Sequence, residues 1–317
     1  MSLHLRRRQR TVDALSTAGI DLLVCGRQDN VNDITGAHQL WTAGTRLPAP
    51  ICTLNTATGE LFLLSTWDEG IPDDIDIHHL HGITWNGATM ARRLAATPGM
   101  ADARRVGIDA WSPGMARLIG SIAPRAEVIP VDDLLARARR IKLAPEVAAI
   151  RAACAVAAAA VAAARQHPGD DHQRLAAGLE AMARAGSSTP ATAPRVQGPL
   201  VDFGCIRSHY EGGLGRTAPP TAPGAAPEER PHADLIAACL PGASGEDLRR
   251  AAPDGQWLVR GCGLGFEPPV INPRHGAAEL IEPHMVLSVS ALVGEEYARD
   301  TVLITEHGPE IISPELP

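Results

Sequence analysis

The stretch Val201-Asp-Phe-Gly-Cys-Ile-Arg-Ser-His-Tyr210, continued by Glu211-Gly-Gly-Leu-Gly-Arg-Thr217, decides the fold. It reads as a strand pair, preceded by a helix ending at Arg165-Gln-His167, the stop Pro168-Gly169 and a second helix carrying Leu175. The same order recurs downstream. A helix over Glu228 to Leu240 runs into Pro241-Gly242, Leu248 again lies seven residues past the proline, and strands follow. Two such units predict a pseudo-symmetric α+β domain. Pro-Gly is also a common helix stop, so the repeat taken alone leaves a coincidental reading open. Ser187 to Pro199 and Thr217 to Pro231, rich in Pro, Ala, Ser and Thr, read as loops.

Working towards the amino terminus, the pattern changes near residue 140. A helix over Leu3 to Ala18 is stopped by Gly19, and strands follow at Ile20 to Cys25, Ala49 to Leu54 and Leu61 to Ser65, the last two joined as a hairpin. Helices at Gly87 to Ala96, Gly114 to Ile122 and Val131 to Ile141 alternate with strands at Arg105 to Ile108 and Glu127 to Pro130, which predicts an α/β layer on a mixed sheet. Pro145 suits the first turn of the next helix. The expected organisation is therefore an amino-terminal α/β domain over 1–140 and an α+β domain over 141–317.

Composition narrows the function classes. A net charge of −7 and 3% aromatic residues argue against a nucleic-acid surface and against stacking platforms for single strands. Six cysteines lie scattered without C-x-x-C spacing, which fits neither a disulfide framework nor a structural zinc site. The most membrane-like run, Val147 to Ala164, is dominated by alanine and interrupted by Arg151, so it reads as a soluble helix with no membrane role. The basic start Leu3-His-Leu-Arg-Arg-Arg8 leads into no apolar core, so no signal peptide and a cytoplasmic location are expected. The histidines His78, His79 and His81 suggest a metal site less than exposed residues of a strand or loop.

The block Asp202-x-Gly204 … Tyr210 … Arg216-Thr217 resembles the creatinase, prolidase and aminopeptidase P family, which has the pita-bread fold. Gly261-Cys-Gly-Leu-Gly265 is similar to that family's Gly-His-Gly-Ile-Gly, and Ile281-Glu-Pro-His-Met-Val286 to its Glu-Pro-Gly-Met-Val. Arg299-Asp-Thr-Val-Leu-Ile-Thr305 is similar to its Glu-Asp-Thr-Val-Leu-Val-Thr, and Lys142 to Glu146 and Gly19 to Gly36 match its junction and amino-terminal domain. The likeness spans nearly the whole chain. It implies a creatinase-type amino-terminal domain, a shortened pita-bread domain and a homodimer in which the partner covers the pocket.

It also implies two divalent metals held by two Asp, one His and two Glu, where four carboxylates offset two dications. Carried across position by position, the first Asp is Asp202; the others fall on Gly213, Cys262, Ser290 and Arg299. No metal and no cofactor is therefore expected, although a single soft metal on Asp202, Cys262 and His209 is conceivable. The family's substrate-contacting His and the catalytic His of creatinase both lack counterparts.

What remains are candidates. Cys262 reads as a nucleophile or as a buried space-filler. His209, standing where the family has a glycine, reads as a general acid or base or as a solvated strand residue. Asp202 and Arg299 read as a salt bridge filling the old site, with Arg299 free in addition to offer its fork to a ligand carboxylate. Tyr210 completes the catalytic set, and Arg216, Glu267, His284 and Ser290 are placed beside the substrate by position. The reading favoured is a metal-independent hydrolase, lyase or rearranging enzyme. Its substrate would be a small amide-like or amino-acid-derived molecule, or one like a short peptide. The rival is a catalytically inactive peptidase-like binding protein, and a peptidase with an unusual metal site comes third.

Overall fold

The computed structural model describes residues 1–37, 52–65, 70–82, 84, 86–109, 112–217 and 230–316. The start of the expected strand at 49–54 and most of the loop at 217–231 lie outside these, as does the start of the helix expected over Glu228 to Leu240. The chain forms two compact units, Met1–Ala138 and Arg139–Pro317.

In the first unit the elements run α1 (Leu3–Thr17), β1 (Leu22–Cys25), α2 (Gln28–Thr35), β2 (Cys52–Asn55), β3 (Leu61–Ser65), β4 (Leu80–Gly82), α3 (Gly87–Ala95), β5 (Arg105–Ile108), α4 (Pro113–Ile122), β6 (Glu127–Pro130) and α5 (Asp132–Arg140). The strands form one mixed sheet in the order β4-β3-β2-β1-β5-β6. The run Leu22-Leu-Val-Cys25 is apolar without alternation because both faces are covered. Leu23 and Cys25 join one core with Leu15, Val31 and Leu54, and Leu22 and Val24 join another with Met90, Leu94 and Ile119. Helix starts follow local chemistry: Asn86 accepts from the amides of Ala88 and Thr89, and Ser112 caps α4 ahead of Pro113.

The second unit runs α6 (Ala144–Gln166), α7 (Asp171–Arg184), β7 (Thr189–Pro190), β8 (Arg195–Gln197), β9 (Leu200–Arg207), β10 (Tyr210–Thr217), α8 (Ala233–Ala237), α9 (Gly245–Ala251), β11 (Gln256–Cys262), β12 (Phe266–Ile271), β13 (Val286–Val293), β14 (Glu296–Thr305) and β15 (Gly308–Ile311). The helix, Pro-Gly, helix order thus occurs twice, as α6–α7 and α8–α9. All strand pairings here are antiparallel, in the path β12-β11-β13-β14-β10-β9-β7 with β15 on β14 and β8 on β9.

One face of this sheet packs on helices. Val201, Phe203 and Cys205 of β9 share a core with Val156, Ala160 and Val161 of α6 and Met182 of α7. Gly178 lets α7 come close, since a Cβ there would lie 2.3 Å from the Phe203 ring. By length and composition α6 could cross a membrane (mean hydropathy 2.0), yet 44% of that window is buried inside the protein. Strand alternation then turns Asp202 and Gly204 to the opposite face.

Candidate functional site

That opposite face is fixed by two neighbouring glycines. A Cβ on Gly212 would strike the backbone of Cys154 in α6 at 2.3 Å, so Gly212 looks at the helices. A Cβ on Gly213 would lie 2.4 Å from Arg299 Nη2, so Gly213 looks the other way, at Arg299. Register then sets a row across the sheet: Arg195 on β8, Asp202 on β9, Gly215 on β10, Arg299 on β14 and Ser290 on β13.

Within that row Arg299 and Asp202 are each 6% exposed and form an ion pair, Nη2 to Oδ1, of 2.7 Å. Arg299 Nη2 also donates to the carbonyl oxygen of Phe203 at 2.6 Å. The Tyr297 hydroxyl donates to Asp202 Oδ2 at 2.7 Å, and the Arg195 guanidinium carbon stands 4.9 Å from the Tyr297 ring centre. Burial works against the charge on Arg299, but Asp202, Tyr297 and Glu211 together more than offset it and hold the guanidinium protonated. Burial and the adjacent Asp202 both push the Tyr297 phenol well above its ordinary value, so it stays a hydrogen-bond donor.

A second buried pair shares the face. Arg260 Nη1 donates to Glu211 Oε2 at 2.9 Å, and its Nη2 grips Glu211 Oε1. Neither this pair nor Tyr297 and Arg195 was singled out from sequence. The available signal was strand alternation: Tyr297 stands two residues before Arg299, and Glu211 two before Gly213.

The other candidates lie elsewhere. Cys262 is 1% exposed and packs with Ile150 and Cys154 of α6, Tyr210, Val286 and Ile312. Its thiol donates to the Glu211 carbonyl at 3.2 Å, and burial followed by the Glu211 charge pushes its pKa far up. A neutral thiol in a closed core corrects the nucleophile reading in favour of the space-filling one. His209 sits with Ser208 at the β9–β10 turn, both at positive φ (72° and 48°), a conformation that glycine adopts most readily. The six-residue offset from Gly215, the cross-strand partner of Asp202, is about 20 Å of strand. His209 therefore belongs to the turn, and neither the acid–base role nor a shared soft metal with Asp202 and Cys262 fits this placement. His284 (φ 65°) is likewise a turn residue, exposed and 3.3 Å from Glu306.

Tyr210 donates to Glu146 Oε1 at 2.8 Å, while Glu146 Oε2 takes the Leu143 amide at 2.7 Å, so it anchors the start of α6. Glu267, 1% exposed, is engaged by Lys142, by Arg139 at 3.4 Å and by the Leu264 amide at 3.3 Å. Ser290 lies at the end of the row, its hydroxyl 3.4 Å from the Leu258 carbonyl. Arg216 faces the helix side. It donates to Asp300 at 2.6 Å, and Asp300 also receives Arg230 (3.2 Å), His232 (2.9 Å) and Ser313 (2.6 Å). Tyr210, Glu267, His284 and Arg216 are thus structural or peripheral rather than part of the row. In the first unit, His79 pairs with Glu60 at 3.3 Å and His81 stacks on Phe62.

The two-metal centre implied by the resemblance does not fit this donor set. One of its five positions is a carboxylate, and that carboxylate is already paired with a guanidinium standing over Gly213. Among the described residues no group of three or more His, Cys, Asp or Glu could hold a metal ion.

No protein-family model and no curated protein matches the chain by sequence. Solved structures do match it. The chain is similar to the prolidase from Pyrococcus horikoshii OT3 (18% identity, 98% of this chain and 99% of that one, TM-score 0.74). It is similar also to the X-Pro aminopeptidase from Thermotoga maritima MSB8 (16%, 98% and 98%, 0.75) and to the dipeptidase PepE from Mycobacterium ulcerans (18%, 99% and 96%, 0.72). The fold is therefore that of the creatinase, prolidase and aminopeptidase P proteins, an amino-terminal α/β unit and a pita-bread unit.

Proposed function

We propose that this chain is a metal-independent enzyme on a peptidase fold, acting on a small amide-like or amino-acid-derived substrate. The observation that carries the reading is the Arg299 guanidinium, buried over Gly213 and paired with Asp202, at the position where the resemblance requires a metal-binding glutamate. A fixed guanidinium can hold a substrate oxygen in place as a dication would, though more weakly and with directional hydrogen bonds. Beside it, Tyr297 and Asp202 form a phenol–carboxylate pair: the phenol can give its proton to a leaving group, while the carboxylate takes one from the attacking water and returns it to the phenolate.

A second reading, ligand binding without turnover, draws support from the placement of Cys262 and His209, which removes both side chains first considered as nucleophile and base. One assay separates the two. Xaa-Pro dipeptides, N-acyl amino acids and amino-acid amides are incubated with purified protein, with and without a chelator and with and without added manganese. Turnover that survives the chelator and is lost in Arg299→Lys, which keeps the charge but not the fork, is the expected result. Turnover that requires added metal overturns the proposal, and none with any substrate of the panel favours the binding reading.

A further inference from the structure

The row across the second unit's sheet puts two guanidinium groups, Arg195 and Arg299, on either side of one carboxylate, Asp202. Two cations and one anion leave this row with one net positive charge. Arg299 uses only part of its fork internally: Nη2 serves Phe203 and Asp202, while Nε is buried with no hydrogen-bond partner among the described residues. Asp202 Oδ1, 2.7 Å from Nη2, is likewise buried without a hydrogen bond. Buried N–H groups of a cation are nearly always satisfied, so an orphaned one marks the place of a missing acceptor. Arg195, by contrast, is exposed and lies against the ring of Tyr297, whose hydroxyl leads to Asp202.

Charge selects the ligand class. A cationic N–H without an acceptor, in a row of net positive charge, favours an anionic oxygen over a neutral one, and a carboxylate supplies it. We infer that this row receives the free carboxylate of a small amino-acid-derived ligand, held at its buried end by Arg299 Nε and drawn in by the exposed Arg195. The inference rests on the metal-independent reading above and adds the part of the substrate that is recognised.

The test uses two probes of the same shape and different charge, N-acetylglycine and N-acetylglycinamide, titrated calorimetrically into the full-length protein after its metal content has been measured. The acid is expected to bind about tenfold or more tightly than the amide, as the loss of one charged hydrogen-bonded contact implies. Arg195→Gln should weaken the acid about two- to fivefold and reduce its dependence on salt. The double variant Arg299→Gln with Asp202→Asn removes both buried charges together and should abolish the preference. Should that variant not fold, Arg299→Lys, which lacks Nε and the fork, serves in its place with the same expected loss. Equal binding of acid and amide, binding of neither at millimolar concentration, or a preference that survives these variants overturns the inference. A protein that carries stoichiometric metal fails the underlying reading instead, so the two failures are told apart.

Discussion

At position 213 a single missing side chain decides what stands in the cradle. Arg299 occupies the space that any Cβ there would need, so Gly213 and Arg299 are one substitution in physical terms. Gly213→Ala should destabilise the protein by about 1–3 kcal/mol through overpacking, and by much less once Arg299 is already Ala. Urea denaturation of the four members of that cycle measures the coupling; an equal cost in both backgrounds refutes it. Arg299→Ala alone should cost about 3–5 kcal/mol, because Asp202 is left buried without its cation. The Asp202–Arg299 pairing was legible in the sequence because a retained carboxylate and an arginine stand at two of the positions the resemblance gives to metal ligands. The fate of Cys262 was not. Its position in a Gly-Cys-Gly turn says nothing of which way the thiol points, and a register shift between Arg260 and Gly261 lies just before it. His209 and His284 were misleading for a related reason: each replaces a glycine in a left-handed turn, so the new imidazole marks backbone geometry rather than chemistry.

Among the elements, α6 and β14 each anchor one of the second unit's buried polar networks. Tyr210 and Glu146 tie β10 to the first turn of α6, so Tyr210→Phe should lower stability by about 1 kcal/mol and leave the pH profile of any turnover unchanged. A shifted profile would restore Tyr210 to the chemistry. On the helix side of β14, burial pushes Asp300 up, but the hydrogen bond from His232 and the charge of Arg216 more than offset it, and its carboxyl ends well below its ordinary value. The stabilisation from this group is therefore complete above the unfolded value of about 3.9 and is lost as pH falls through the lower folded value. The denaturation midpoint should drop as pH falls below about 4, and Asp300→Asn should flatten that slope. A slope that persists in the variant would assign it to other carboxylates. Elements themselves were largely readable. Arg105–Ile108 and Glu127–Pro130 lie where their β-branched residues placed them, and Pro145 sits in the first turn of α6. What the pattern could not give was the short α8 (Ala233–Ala237), for which apolar spacing over 228–240 suggested a longer helix, or the partner of each buried charge.

For the molecule as a whole, ordered sequence blocks carried the fold, and the solved prolidases and aminopeptidases, near 17% identity, share it over nearly the full chain. Their blocks persist because glycine turns, sheet register and helix–sheet packing are needed to build the sheet whether or not the row across it holds ions. The ligand positions are free of that constraint, and in this chain only Asp202 among the five remains a hard anionic donor. The claim on which the rest stands is that a guanidinium has taken the place of bound cations. Calorimetric titration of manganese into the purified, chelator-treated protein tests it most directly. The account predicts no saturable uptake in the wild-type chain; uptake of two equivalents, lost in Asp202→Ala, would contradict it.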